Sequence, residues 1–307
     1  VFQLTDYTVG GGLGTFFISS SKDFQEFKDF VARRRQIRQE AGKVIEWVNV
    51  CEYIFGRQAS ITGCATKQGV VTSVLQTQVM DQPELAALQG RSGVWLGHDW
   101  NVRFSLEEQN QAEKVCQQWG EYMYKHGYKG IFGLDVMVTE NDEVVAVECN
   151  SRYTGAFPVY TMLQLAQKET PLDVWHLLEW MGVDYEMDIE EVQRVAREPK
   201  KGAQIIMHNL ERRLVTSTRT VKAGVYRVKS GKAEWVREGF SLLDIQSNDE
   251  LVLADRLPTE ECVLKPVERL GKLMFKRQIV DETGRLLPEI REVVKGIYNS
   301  FELMPVE

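Results

Sequence analysis

Residues 130–155 read G-I-F-G-L-D-V-M-V-T-E-N-D-E-V-V-A-V-E-C-N-S-R-Y-T-G. Two apolar runs, 130–139 and 143–150, flank the turn signal Asn141-Asp142, which predicts a β-hairpin. Side chains alternate between the faces of a strand, so Glu148, Asn150 and Arg152 share one face where the second run ends. With the turn at 141–142, Asp135 falls near the level of Glu148. A lone Asp in an apolar run needs a partner, a metal or an edge position. Two carboxylates and an amide oxygen that converge are hard ligands, suited to Mg²⁺ or Mn²⁺ beside phosphates. Arg152 adds a fork for a phosphate or a developing acyl-phosphate oxyanion. The bland alternative is a surface hairpin whose Glu148 and Arg152 pair in water. It fits less well, because V-V-A-V (144–147) and G-I-F-G (130–133) read as buried.

Upstream, Ser105 followed by Glu108 is a capping-box pattern that opens a helix over about 105–126. Residues 81–104 read as loop. A hairpin is predicted from 58–66 and 70–80 around Lys67-Gln68-Gly69, and a strand over 43–54 leads to a turn at Phe55-Gly56. Further back, Ser20 or Ser21 caps a helix over 22–40 with Phe24, Phe27, Phe30 and Val31 on one face. Residues 1–5 and 15–19 form strands around the glycine-rich G-G-G-L-G (10–14). Downstream, helices are expected at 159–167 and 171–181 and a linker at 198–204. Short strands follow at 203–209, 214–221, 224–236 and 250–255, then a helical end over about 266–301. The segments group as 1–50, 51–189 and a β-rich 190–307, an α+β arrangement.

The bulk composition excludes several classes of function. The 307 residues carry a net charge of −7, with 43% hydrophobic and 26% charged residues. That is ordinary for a soluble globular protein and gives no reason to expect nucleic acid or an anionic membrane as partner. No apolar stretch approaches the ~18 residues that span a bilayer. Five cysteines without a C-x-x-C pair argue against a disulfide framework or zinc site and fit a reducing cytoplasm. The chain opens on V-F-Q-L rather than Met, so an upstream portion is expected.

Taken in order, a glycine-rich hairpin, a connecting strand, a long helix and then D…E-x-N-x-R resemble the ATP-grasp superfamily over about 1–165. G-L-D-V-M-V…V-E-C-N-S-R looks like the family's metal-binding strands. The resemblance implies an ATP-grasp fold, two α+β subdomains clamping nucleotide, followed here by the β-rich C-terminal part. It implies Asp135, Glu148 and Asn150 as Mg²⁺ ligands and Arg152 beside the γ-phosphate. Gly10, Gly11, Gly12 and Gly14 would cover the triphosphate, although a plain glycine turn fits that segment as well. Glu52, Tyr53 and Ile54 would line adenine, and Gln58 stands where the family often grips ribose with Glu. Two positions depart from the pattern. The family usually carries a lysine before the glycine loop, where this chain has Gln3 and Leu4; Asp135 replaces what is often Glu. Arg91 or Arg103 could supply the missing cation. His98 reads as a structural loop histidine, His126 and His176 as satisfied structural histidines, and Trp175, Trp180 and Trp235 as core.

The activity so implied is an ATP-dependent carboxylate–amine ligase with small-molecule substrates and no nucleic acid or membrane partner, with self-association left open. Three rivals stay open: an ATP-grasp carboxylase-like enzyme, a nucleotide-binding protein without turnover, and a β-rich interaction protein with an incidental acidic hairpin.

Overall fold

The computed structural model describes residues 1–4, 15–40, 47–86, 93–229 and 232–306. The chain divides into two compact units, Val1–Phe55 with Leu88–Trp95, and Gly56–Ala87 with Leu96–Glu307.

In the first unit, β1 (Phe2–Leu4), β2 (Thr15–Phe16) and β3 (Val48–Val50) form an antiparallel sheet in the order β2-β1-β3, joined by helix α1 (Ser21–Glu40). The phenylalanines predicted on one helix face do meet this sheet. Phe27 is buried with Leu4, and its ring lies 5.1 Å from both Phe2 and Phe16. The glycine-rich segment 10–14 lies outside the described residues.

The second unit runs β4 (Gly56–Thr66), β5 (Gly69–Thr72), β6 (Gln76–Met80), β7 (Trp95–Asp99), α2 (Leu106–Lys125), β8 (Gly130–Thr139), β9 (Val144–Asn150) and helices α3 (Phe157–Ala166), α4 (Leu172–Met181) and α5 (Ile189–Ala196). It continues through β10 (Ala203–His208), β11 (Val215–Ser217), β12 (Gly224–Lys229), β13 (Lys232–Arg237), β14 (Glu250–Ala254), β15 (Val263–Leu264), β16 (Arg269–Phe275), α6 (Pro288–Ser300) and β17 (Leu303–Pro305). One eleven-stranded sheet carries the order β13-β12-β14-β16-β10-β7-β6-β4-β8-β9, with β5 beside β4. The sequence division at 189/190 falls inside this unit. β10 pairs with β7 on one side and β16 on the other, so residues beyond 190 continue the sheet begun at Gly56.

Several elements differ from the sequence reading, among them the strand expected over 43–54, which among the described residues is only Val48–Val50, and helix α5, which was not expected. The stretch 70–80 is two strands, because Ser73 and Val74 turn aside to bond Thr62 O and Ala196 O. The 81–104 region holds β7, a buried strand despite its glycine, histidine and aspartate. Residues 269–275 are a strand and the last helix starts only at Pro288, where a proline opens its first turn. V-V-A-V is not buried: β9 is the last strand of the sheet, and Ala146 and Val147 are exposed. Helix α2 begins as predicted, with Ser105 and Glu108 completing the capping box.

The sheet formed by β4, β8 and β9 has two chemically different faces. Antiparallel partners share a face, so Ala59 and Ile61 of β4 lie beside Val136 and Leu134 of β8. These residues, with Val138, pack against Ala112, Cys116 and Met123 of α2. On the opposite face, Cys64 and Ile131 are covered by Phe157, Tyr160 and Leu163 of α3 and Leu172 of α4. Further along that second face the side chains turn polar, with Ser60 opposite Asp135 and Gln58 opposite Met137.

Candidate functional site

The polar row begins with register. Asp135 pairs directly with Glu148, and Gly133 with Asn150, so the three candidate ligands share one face. The pairing then shifts, Val136 opposing Ala146, and Val147 is left over as a β-bulge. The bulge reverses the alternation of β9, so Val144 still packs into the α2 core while Glu148 faces the polar side.

Hydrogen bonds tie the row together. Asp135 Oδ1 accepts from Gln78 Nε2 at 2.8 Å, and Oδ2 accepts from Asn150 Nδ2 at 3.1 Å. Arg152 Nη2 donates to Asn150 Oδ1 at 2.9 Å. Burial, and secondly the facing Glu148 carboxylate, push the Asp135 carboxyl up to about 7, while Asn150, Gln78 and Arg152 pull in the other direction. Glu148 and Arg152 are exposed, and Asp135 is partly buried.

This donor set fits a hard divalent cation: two carboxylates with lone pairs to spare and a carboxamide between them and a guanidinium. Among the described residues no group of three or more His, Cys, Asp or Glu side chains could hold a metal. Asn150, water and phosphate oxygens would therefore have to complete any coordination here. Asn150 Oδ1 is already on Arg152, so a cation would compete with the guanidinium for it.

Gln78 of β6 had no mark in the sequence beyond the alternation of Gln76 and Gln78, which puts both on one face. Gln76 continues the polar row, since its Nε2 donates to Ser60 Oγ at 3.1 Å and its Oε1 accepts from Trp100 Nε1 at 2.7 Å.

The other sequence candidates fall as follows. Gln58 lies on the polar face, half-buried. Gln3 sits in β1 opposite Thr15 and Asn49. Glu52 and Tyr53 are exposed and Ile54 half-buried in an irregular stretch between β3 and β4. Their backbone groups bond to no described residue, and the Tyr53 ring is braced edge-on by Phe17 and Phe55. Gly10, Gly11, Gly12, Gly14 and Arg91 lie outside the described residues. Arg103 lines a separate cavity with Trp100 and Lys276. His98 is buried in β7, and burial pushes its imidazole down to about 3, which leaves it neutral and structural. Trp180 is 63% exposed and Trp235 is also exposed, so neither is core.

Residues 17–156 match the family model of the ATP-grasp domain. Carboxyaminoimidazole ribonucleotide synthase from Aspergillus clavatus, solved with ATP, superposes with a TM-score of 0.50 at 13% identity, covering 98% of this chain and 61% of that one. N5-carboxyaminoimidazole synthetase from Staphylococcus aureus, solved with ADP, gives a TM-score of 0.50 at 14% identity, covering 98% and 60%. At such identity the likeness is one of fold, and the chain spans about three fifths of the length of these relatives. A comparison with curated proteins finds no match. Among the described residues no helix is long and apolar enough to cross a membrane. Residues 17–156 are thus similar to an ATP-grasp domain, and the chain shares its fold with these solved structures.

Proposed function

We propose that the protein is an ATP-dependent ligase that activates a carboxylate as an acyl phosphate and passes the acyl group to an amine. The observation that carries this reading is the direct facing of Asp135 and Glu148, linked through Asn150 to Arg152. In the first step a carboxylate oxygen bonds to the γ-phosphorus of ATP while the bond from that phosphorus to the β,γ-bridging oxygen breaks, releasing ADP. In the second, the amine nitrogen bonds to the carbonyl carbon, the carbon–oxygen bond to phosphate breaks, and the nitrogen loses a proton.

Asp135, Glu148 and Asn150 would hold Mg²⁺, or Mn²⁺, and the metal would neutralise phosphate charge. Gln78 is a positioning residue that orients Asp135. Arg152 binds the transferring phosphoryl oxygens and the acyl-phosphate oxygens, where a guanidinium fork matches two oxygens at once. By resemblance to the family, Glu52, Tyr53 and Ile54 would take adenine, and Gln58 stands at the position that takes ribose. By resemblance to the family, Gly10, Gly11, Gly12 and Gly14, which lie outside the described residues, would be the phosphate-covering segment. Gln3 replaces the cationic lysine of the family, so nucleotide affinity depends more heavily on the metal.

Hydroxylamine captures acyl phosphates as hydroxamates. A panel of carboxylates incubated with Mg-ATP and hydroxylamine should yield ADP and a hydroxamate for at least one acid. ADP release that requires bicarbonate and ignores every other acid would replace this reading with a carboxylase. Tight Mg-ATP binding without ADP release would replace it with a non-catalytic nucleotide-binding role.

A further inference from the structure

β9 stops at Asn150, opposite Gly133, so Ile131, two residues further along β8, has no neighbour on that side within the hairpin. A cavity of about 300 Å³ opens there, lined by Tyr128, Lys129, Arg152, Tyr153, His176 and Trp180 among others. Arg152 belongs to both places: it holds Asn150 in the polar row and lines this cavity.

The lining is chemically specific. Lys129 and Arg152 are cations, and among the described residues no carboxylate lines the cavity. The nearby acid Asp173 is already occupied, since its two oxygens accept from Tyr153 OH at 2.6 Å and from Thr161 Oγ1. That bond also anchors the Tyr153 phenol, and Tyr128 OH is anchored on Ile131 O. His176 Nδ1 accepts the Ile131 N–H at 3.2 Å, which leaves its proton on Nε2 as a donor. Burial also holds this imidazole below its ordinary range, so it stays neutral at pH near 7. The ring is seated against Gly130, at φ +84°, where a Cβ would come within 2.0 Å of Nδ1. Trp180, by contrast, shows 63% of its surface to solvent. An uncovered indole, two anchored phenols, two cations and a fixed neutral N–H donor suit one kind of guest. It is flat and apolar at one end and anionic at the other.

We propose that this cavity receives the carboxylate substrate of the ligase and selects acids that carry an aromatic or heteroaromatic ring. Arg152, Lys129 and His176 address the carboxylate, and Trp180 and Tyr153 frame the ring. This inference rests on the ligase reading and adds the substrate class to it. Arg152 links the two, because it bonds Asn150 of the row that would hold the metal and also lines this cavity.

Calorimetric titration of the intact chain with phenylpropanoate, hexanoate and phenylpropylamine tests it, with Mg-ADP titrated in parallel. Phenylpropanoate should bind about tenfold more tightly than hexanoate, and phenylpropylamine should not bind. Trp180→Ala changes an exposed side chain and should erase the aromatic preference, while Lys129→Ala should weaken both acids together. Equal binding of the two acids, an aromatic preference that survives Trp180→Ala, binding of the amine, or no saturable binding of either acid would each overturn the proposal. Mg-ADP binding that persists without acid binding sinks the cavity alone. Acid binding without Mg-ADP binding sinks the ligase reading and leaves the cavity standing.

Discussion

Changing Glu148 to Gln removes one of two facing carboxylates, and the expected consequences have opposite signs for fold and function. Directly opposed residues in an antiparallel pair have Cβ atoms about 5 Å apart. Two carboxylates at roughly 6 Å repel by about 0.7 kcal/mol in water and about 3 kcal/mol at an effective dielectric of 20. Glu148 is exposed, so the lower end applies, and about 1 kcal/mol is a fair magnitude when both groups are charged. It makes no hydrogen bond to a described residue that the amide would have to replace. The variant should therefore melt about 2 °C higher than the wild type above pH 7.

Asp135 sets the pH at which this appears. Its carboxyl, pushed up to about 7, is mostly protonated at pH near 6, so the repulsion and the gain from Glu148→Gln should both vanish there. The sign follows from proton binding. Between its ordinary value and about 7 the folded state keeps a proton that the unfolded state has lost, so wild-type stability falls as pH rises through that window and levels off above it. Mg²⁺ should reverse the loss at high pH; at ten times its dissociation constant it would add about 1.4 kcal/mol to the wild type. Glu148→Gln should lose most of that gain, together with Mg-dependent turnover. Thermal melts with Mg²⁺ and with chelator, at about pH 6 and about pH 8, read all of these effects. A variant that melts lower than wild type at pH near 8, or that keeps the full Mg²⁺-dependent rise, would refute the facing-carboxylate account.

Two further outcomes concern stability. Lys200 and Glu169 form a fully buried ion pair at 2.7 Å, with side chains 0% and 5% exposed, so Lys200→Met should cost about 3–5 kcal/mol in urea unfolding. The double change Lys200→Met with Glu169→Leu should recover most of that loss; no recovery would mean that packing, not charge, holds the site. Glu250 accepts two bonds from Arg237 at 2.8 Å, one from Arg227 at 3.0 Å and one from the Gln246 N–H at 3.0 Å, and its carboxyl is held down at about 2. Its contribution, about 2 kcal/mol after allowance for solvent around Arg227, should be lost as pH falls from about 4.5 to about 2. Glu250→Gln should lack that acid limb in pH-dependent denaturation.

Period-two patterning made the site hairpin legible, because Phe132, Leu134, Val136 and Val138 all needed one apolar face and Asp135 fell on the other. The turn at Asn141-Asp142 set the level of Asp135 against Glu148. The bulge at Val147 had no signature, since an extra residue in V-V-A-V-E-C-N changes register without changing composition. Strand β7 was hidden for a related reason. Its buried polar residues are satisfied by distant chain, as when Asp99 Oδ2 accepts the N–H groups of Ile279 and Val280. Partners so remote in sequence leave no local pattern. Gln78 escaped notice likewise, because only the pairing of β6 with β4, and of β4 with β8, brings it to Asp135. Trp180 was read as core from residue type alone, and its exposure depends on which face of α4 meets the sheet.

The position of the site follows from where helical cover ends. Helices α3 and α4 close the Cys64 and Ile131 end of one sheet face, and α2 packs against the other. Asp135 lies one step past that cover, on a strand whose alternate residues are fixed in the α2 core. The rigid face thus holds the carboxylate in place. Polar neighbours on that face cannot be exchanged for apolar ones without stranding Asp135, whose two hydrogen bonds offset part of the cost of its burial. A strand that has to serve core and site at once therefore explains both the apolar appearance of G-I-F-G-L-D-V-M-V and the single acid within it.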